Sequence, residues 1–265
     1  MNVSVHSATY PTGPPGAKGA IGIGPMITLR RAEERQHDES RKLESWLTFH
    51  PQAPAGLLAE GLGNIELLKE CRLAPGAGVA STSGHDTEIL TYVREGALAF
   101  ENSLGGSGVL QAGEFQRVTA GSGLRRSQTN ASRTDWAHFF QIWLRPSEVD
   151  LDPEHEQKRF TAAQRRSGLC VVASQDARKG SLRIHQDALI YSSLLAPGQH
   201  VIRELSPGRS AWLHIVQGEV ALGGFVLGTG DGAGVTVEPA VSLTAREESE
   251  ILLIDLREAI PRPGF

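Results

Sequence analysis

Residues 76–130 decide the fold, and they read GAGVASTSGHDTEILTYVREGALAFENSLGGSGVLQAGEFQRVTAGSGLRRSQTN. Short apolar runs alternate there with Gly-rich turns, a pattern typical of antiparallel strands joined by tight connections. The segment EILTYVREGALAF predicts two strands that meet at residues 94–96. Side chains alternate along a strand, so Ile89 and Val93 are expected on one face and Leu90 and Tyr92 on the other.

The second half of the chain repeats this strand order. WLHIVQGEVAL at 212–222 matches ILTYVREGALAF at 89–100, and SEILLIDL at 249–256 matches the aromatic strand HFFQIWLRP at 138–146. Gly or Pro turns break the remaining apolar runs about every ten residues, as in sandwiches and barrels. The sequence therefore predicts an all-β fold of two similar antiparallel β-barrels in tandem, with few short helices.

An acidic and then mixed segment, SEVDLDPEHEQKRF at 147–160, separates the two halves, and TAAQRRSG after it predicts a short helix. The Gly- and Pro-rich N-terminus carries few large apolar residues and is predicted to be flexible. The predicted organisation is an N-terminal extension, a first barrel, a linker, a second barrel and a tail, at 1–25, 26–146, 147–168, 169–257 and 258–265.

Composition limits the classes of function. The chain has 265 residues, 40% of them hydrophobic, and a formal net charge of -4. Nucleic-acid binding needs a concentrated basic surface, which this charge does not favour. No window is long and apolar enough to span a membrane, and no secretory signal is apparent, so we expect no membrane contact and a cytoplasmic location. Cys71 and Cys170 are far apart and predict free thiols.

Several of these segments together resemble the pirin family, whose members are bicupins. The resemblance runs from about residue 26 to 257, on ITLRRAEER, WLTFH, LAPGAG, HDTEILTYVREGAL, GSGVLQAGEFQRVTAGSG, RRSQTNAS, HFFQIWLRP, PEHEQKRF and GDGAGV. It implies two cupin-type barrels, with a metal in the N-terminal one and relatives that are metal-dependent quercetin dioxygenases. It also implies four metal-ligand positions, which fall here on Thr82, Gly84, Arg126 and Gln128.

These four residues are unlike the histidines and glutamate that the resemblance implies. Iron-type sites use imidazole and carboxylate donors. Gly84 has no side-chain donor, Thr82 is a poor neutral ligand, Gln128 has no charge, and Arg126 repels a divalent cation. A shift by one residue would bring in His85, which is expected to point to the opposite strand face. We therefore predict no bound metal and no cofactor, although the family would use Fe or another divalent metal.

The pocket itself is expected to persist in the first barrel, with Glu88 facing inward. Two placements of Arg126 remain open. In one, the guanidinium takes the space and charge of the metal and pairs with Glu88 or donates a hydrogen bond to Gln128. In the other, Arg126 turns outward to solvent. The predicted binding residues are Thr82, Gly84, Glu88, Arg126 and Gln128.

Three functions follow as hypotheses. The first is a binding or regulatory protein that holds a small organic anion against Arg126. Under this hypothesis the protein is not an enzyme. The second is a metal-dependent quercetinase-like dioxygenase. The third is a protein-interaction module with a protein partner. Metal content of the purified protein separates the first two, and a thermal-shift screen with small carboxylates tests for a pocket ligand.

Overall fold

The structure is a computed structural model that describes residues 26–50 and 62–257. These residues form 22 strands and one short α-helix, so the predicted all-β class is confirmed. None of their helices is long and apolar enough to cross a membrane. The predicted N-terminal extension, 1–25, and the predicted tail, 258–265, lie outside the described residues.

The strands as far as the middle of the chain are β1 Met26–Arg30, β2 Gln36–Glu39, β3 Leu43–Phe49, β4 Ile65–Leu73, β5 Gly78–Gly84, β6 Glu88–Glu95, β7 Ala97–Asn102, β8 Ser107–Gln111, β9 Glu114–Thr119, β10 Leu124–Asn130, β11 Ala137–Leu144 and β12 Glu154–Arg159. They are followed by α1 Ala162–Arg166, β13 Cys170–Ser174, β14 Leu182–Arg183, β15 Ala188–Leu195, β16 His200–Glu204, β17 Arg209–Gln217, β18 Val220–Leu222, β19 Phe225–Leu227, β20 Gly232–Thr236, β21 Ala240–Ala245 and β22 Ser249–Arg257.

Each half pairs a seven-stranded sheet with a four-stranded sheet. In the first half the orders are β12-β9-β6-β11-β4-β3-β2 and β5-β10-β7-β8. In the second half they are β1-β20-β17-β22-β15-β13-β14 and β16-β21-β18-β19. The predicted fold of two tandem cupin-type halves is confirmed. In each half the barrel consists of two separate sheets, like a sandwich, and is not closed. We call the two halves the first and the second sandwich.

Two strands pair with partners that the sequence does not indicate. β1 joins the second sandwich through β20, with Met26 opposite Thr236. β12 falls inside the predicted linker and pairs with β9 of the first sandwich. The short helix predicted after it is α1, which begins at a capping box between Thr161 and Gln164. The five-part organisation over 1–25, 26–146, 147–168, 169–257 and 258–265 stays a prediction.

The two seven-stranded sheets pack face to face over one shared hydrophobic core. Phe115 and Phe140 enter this core from the first sandwich, and Trp212 and Ile254 enter it from the second. Leu90 and Tyr92 of β6 belong to it as well. The alternate residues of β6 lie in two other clusters, inside the first sandwich. The predicted alternation along β6 is therefore confirmed. One face of β6 points into the first sandwich, and the other lies at the interface between the two halves.

Candidate functional site

A layer of five buried polar side chains crosses the interior of the first sandwich. Thr91, Gln116 and Gln141 lie on the seven-stranded sheet, and Arg126 and Gln128 lie on the four-stranded sheet. All five are buried, with Arg126 only 5% exposed. A buried polar group costs free energy unless it finds a hydrogen-bond partner. Five such groups in one interior therefore indicate a position selected for function rather than for stability. We call these five residues the buried polar layer.

Strand register brings the layer together. Thr91 stands opposite Gln116 on one side and opposite Gln141 on the other. Residues directly opposite each other in antiparallel strands share a face, so these three side chains point into the sandwich side by side. Arg126 and Gln128 are two residues apart on β10 and share the face that is buried in its alternating pattern.

Apolar clusters flank this layer inside the sandwich. One contains Ile89, Val118 and Leu124, together with partly buried Trp143. The other contains the larger side chains of β6, β7, β8 and β11: Val93, Leu98, Phe100, Leu110 and Phe139. Along β6 the order is Ile89, Thr91, Val93, which places the polar layer between the two clusters. A charge in this position is shielded from bulk water by apolar side chains.

The layer satisfies only part of its own hydrogen-bonding capacity. Arg126 donates from Nη2 to Thr91 Oγ1 at 3.3 Å, and Gln141 donates from Nε2 to Gln128 Oε1 at 2.7 Å. Among the described residues, Arg126 Nε and Nη1, Gln128 Nε2 and both amide atoms of Gln116 have no partner. The unpaired groups are therefore mainly N–H donors. Such a set favours a ligand that carries hydrogen-bond acceptors.

Arg126 is the electrostatic centre of the layer. Burial lowers the pKa of its guanidinium to about 10, so it remains positively charged at neutral pH. Within the described part of the chain no carboxylate forms an ion pair with it. A buried charge without a counter-charge is costly in a protein interior. An anion beside Arg126 would remove that cost.

The structure separates the five predicted binding residues into two groups. Arg126 and Gln128 both belong to the buried polar layer. Of the two placements left open for Arg126, the outward one is not observed, because the side chain is buried. Thr82 is exposed and Gly84 is half-buried on β5, at the edge of the four-stranded sheet. Thr82 stands opposite Arg126 in the ladder between β5 and β10.

Glu88 does not face the interior of the first sandwich. Its carboxylate accepts hydrogen bonds from Thr119 Oγ1 at 3.0 Å and from the backbone N–H of His185 at 2.7 Å. His185 Nδ1 lies 2.8 Å from the same carboxylate. Glu88 thus joins the two halves of the molecule, and the predicted pairs of Arg126 with Glu88 and with Gln128 are not formed.

The reason is the turn between β5 and β6. β5 ends at Gly84 and β6 begins at Glu88, and the two strands belong to different sheets. Asp86 between them has a φ of 47°, in the left-handed region. Counting alternate residues from Thr82 through this turn therefore assigns Glu88 to the wrong face. Counted along β6 alone, Glu88 shares the face of Leu90 and Tyr92.

Sequence reasoning missed three members of the layer: Thr91, Gln116 and Gln141. A signal was present for each, because each is a polar residue at a position where its strand otherwise turns an apolar side chain inward. Gln141 interrupts the aromatic strand HFFQIWL, and Gln116 stands between Phe115 and Val118 in EFQRV. A polar residue inside a strand that is buried on both faces points to a partner or a ligand.

A surface cleft of about 380 Å³ opens beside the end of β5. Its lining includes Ser83, Gly84, His85 and Trp143. Next to it, ligand atoms of His85, Asp86 and Asp150 lie within 4.8 Å of one another. His85 Nδ1 is 2.9 Å from Asp86. One imidazole and two carboxylates fit the donor preferences of a divalent cation, which the four positions Thr82, Gly84, Arg126 and Gln128 do not.

Comparison with known proteins identifies relatives over most of the chain. A family model described as Pirin matches residues 29–144, and one described as the quercetinase C-terminal cupin domain matches residues 171–256. A quercetin 2,3-dioxygenase of Escherichia coli K12 is 37% identical over 231 residues, which cover 87% of this chain and 99% of that protein. A pirin-like protein of Caulobacter vibrioides is 32% identical, over 73% of this chain and 83% of its own length.

Solved structures agree with this assignment. The crystal structure of YhhW from Escherichia coli is 37% identical, with a TM-score of 0.84 over 88% of this chain and 99% of that one. A second structure, bacterial pirin YhhW in complex with nickel(II), is 36% identical, with a TM-score of 0.82 over 88% of this chain and all of that one. The sequence-based prediction that no cofactor is used is therefore wrong, because this relative points to a metal cofactor. The chain belongs to the pirin family.

Proposed function

We propose that this pirin-family protein binds a small organic anion inside its first sandwich, with the Arg126 guanidinium as the anchor. The observation that carries the proposal is the state of Arg126: it is buried, positively charged, and unpaired at Nε and Nη1 among the described residues. A guanidinium offers parallel N–H groups to a carboxylate along its Nε–Nη2 edge and along its Nη1–Nη2 edge. The unpaired Nε and Nη1 of Arg126 therefore leave one donor open on each edge. The free amide groups of Gln116 and Gln128 supply further contacts for such a ligand.

The neighbouring residues support a compact, oxygen-rich ligand. Thr91 and Gln141 already hold Arg126 and Gln128 in place, at 3.3 Å and 2.7 Å. Preorganised donors gain affinity because they lose little freedom when the ligand arrives. The apolar clusters on both sides of the layer exclude bulk water, which strengthens a charge–charge contact there.

The test compares Arg126→Met with Arg125→Met. Arg125 is the adjacent residue on β10 and is exposed, so it is a matched control that changes the net charge equally. Isothermal titration with formate, acetate, malonate and succinate should show saturable binding to the wild type. Loss of a charge-assisted hydrogen bond should weaken binding by Arg126→Met about tenfold or more. Equal binding by the wild type and Arg126→Met would contradict the proposal.

A second candidate function is a metal-dependent dioxygenase, favoured by relatives that carry the name quercetin 2,3-dioxygenase and by the nickel(II) complex. Among the described residues, His85, Asp86 and Asp150 could hold the ion. A bound divalent ion would supply Lewis-acid polarisation of a substrate oxygen. Metal analysis of the dialysed protein tests this candidate, together with quercetin turnover by the wild type and by Asp150→Asn. Stoichiometric metal that disappears in the variant supports it.

A further inference from the structure

A cleft lined by charged side chains lies on the other half of the molecule, in the second sandwich. It has a volume of about 300 Å³. Three arginines, Arg178, Arg203 and Arg209, and two carboxylates, Asp176 and Asp187, line it. Leu189 and Ala188, at the beginning of β15, provide apolar lining. The volume is at the lower end of the range for small-molecule sites, which begins at about 300 Å³.

A buried carboxylate holds two of these arginines in place. Asp255 is fully buried, on the face of β22 that also carries Ile251 and Leu253. It accepts hydrogen bonds from Arg203 Nε at 2.7 Å and from Arg209 Nε at 2.5 Å. One carboxylate therefore fixes two guanidiniums, and the three groups together carry one net positive charge.

Arg203 and Arg209 differ in what else they contact. Arg209 also pairs with Asp187, at 2.7 Å. Asp255 is the one carboxylate paired with Arg203 among the described residues. The Arg203 guanidinium lies over the ring of Tyr191, 5.4 Å from its centroid, and its side chain is 28% exposed. Asp255, which contacts Nε and Nη2, and the ring of Tyr191 thus fix the position of Arg203, and the Arg203 side chain remains partly exposed.

Arg178 stands at the rim of the same cleft. Its partner is Asp176, at 2.9 Å, and the two side chains are 53% and 54% exposed. Ion pairs this exposed contribute about 0–1 kcal/mol, because water screens them and both side chains lose freedom. A ligand oxyanion can therefore replace Asp176 at little cost. Arg178 would then close on a ligand that Arg203 already holds.

We propose that this cleft is a second ligand site, which binds a compact molecule that carries a carboxylate or phosphate group. Arg203 is the fixed contact, Arg178 is the mobile one, and the buried Asp255 positions the site without touching the ligand. Guanidiniums suit both oxyanions, because their N–H groups match the spacing of two oxygens. The site is separate from the buried polar layer of the first sandwich and is independent of the function proposed for it.

The test uses isothermal titration of the full chain in a buffer of low ionic strength that contains no phosphate. The probes are inorganic phosphate, phenyl phosphate, acetate and succinate, so the same experiment distinguishes the two oxyanions. The variant is Arg178→Gln. Its matched control is Arg246→Gln, because Arg246 also forms an exposed ion pair, with Glu219, and their side chains are 52% and 41% exposed.

At least one probe should bind the wild type with one-to-one stoichiometry at this cleft. Arg178→Gln should weaken that binding about tenfold, the usual effect of losing a charge-assisted contact, and Arg246→Gln should leave it unchanged. Arg126→Met should also leave it unchanged, since Arg126 lies in the first sandwich. The proposal is overturned if no probe saturates, or if Arg178→Gln binds every probe like the wild type. Binding that only Arg126→Met weakens would overturn it and support the first site instead.

Discussion

Arg126 is a single residue whose energetic role can be measured without knowing its ligand. A buried charge that lacks a counter-charge destabilises the fold, and an apolar side chain of similar length avoids that cost. In a buffer without small organic anions, Arg126→Met should therefore be more stable than the wild type, by about 1–3 kcal/mol. Urea unfolding measures the difference. Arg125→Met, on the exposed face of the same strand, should change stability by less than about 0.5 kcal/mol.

The outcome that contradicts this expectation is a less stable Arg126→Met protein in the same buffer. It would mean that the guanidinium already has a counter-charge. Adding a saturating anion should narrow the gap between the wild type and the variant, because a ligand stabilises only the form that binds it.

Glu70 gives a prediction about acid stability. It lies between Arg35, at 2.8 Å, and His138 Nε2, at 2.8 Å. Burial alone would raise the pKa of Glu70, but the hydrogen bond from His138 and the charge of Arg35 outweigh it and hold the pKa at about 2, below the ordinary 4.5. The stability that this carboxylate contributes is complete above pH 4.5 and is lost as the pH falls toward 2.

Replacement of this carboxylate should remove that part of the acid sensitivity. We compare the free energy of unfolding of the wild type with that of Glu70→Gln. The difference between the two should be smaller at pH 3 than at pH 6, by about 2 kcal/mol. Urea unfolding at both pH values measures it. A gap that stays constant between pH 6 and pH 3 would show that the Glu70 carboxyl is not held ionised by the fold.

At the scale of elements, counting alternate residues along one strand predicted correctly which face a side chain lies on. Counting through a turn did not. The two faces of β6 follow directly from its apolar residues, since Leu90 enters the shared core and Ile89 enters the first sandwich. Glu88 was assigned to the wrong face because the count ran through a turn that changes sheets. Gln116 and Gln141 each interrupt an apolar strand, which is visible in the sequence. The sequence does not tell which strands oppose each other across a sandwich, so it does not show that these two residues meet Arg126 and Gln128.

The turn between β9 and β10 gives a prediction at the same scale. Gly121 has a φ of 48°, and a Cβ there would lie 1.8 Å from the backbone oxygen of Leu151. Gly76 has a φ of 65° with open space around it, so it is a matched control for backbone strain alone. Gly76→Ala should cost about 1 kcal/mol. Gly121→Ala should cost clearly more, about 3 kcal/mol or above, because backbone must also move.

Thermal and urea unfolding of the two variants measure this difference. Equal destabilisation by Gly121→Ala and Gly76→Ala would show that the segment around Leu151 yields freely. In that case the contact between this turn and the segment leading into β12 does not hold the first sandwich together.

At the scale of the whole molecule, the tandem repeat was predictable and the way its halves join was not. The matching strand patterns predicted two similar halves, which the four sheets confirm. The interface depends on contacts far apart in sequence. Tyr92 donates to Glu250 at 2.5 Å, and Arg165 of α1 reaches both the Tyr92 hydroxyl, at 2.9 Å, and the Glu250 carboxylate. β1, which precedes the first sandwich in sequence, pairs within the second.

This joining predicts that the two halves unfold together. The shared core contains Phe140 from the first sandwich and Trp212 from the second, both almost fully buried, so neither half keeps its core when the other opens. Calorimetry should show one transition, with a ratio of calorimetric to van't Hoff enthalpy of about 1.

Phe140→Ala, at the interface, should lower the free energy of unfolding in that single transition by about 3–5 kcal/mol. Leu110→Ala, in the interior of the first sandwich, should lower the same transition without dividing it. Two resolved transitions in the wild type, or a second one that appears only in Leu110→Ala, would show that the sandwiches fold as independent units.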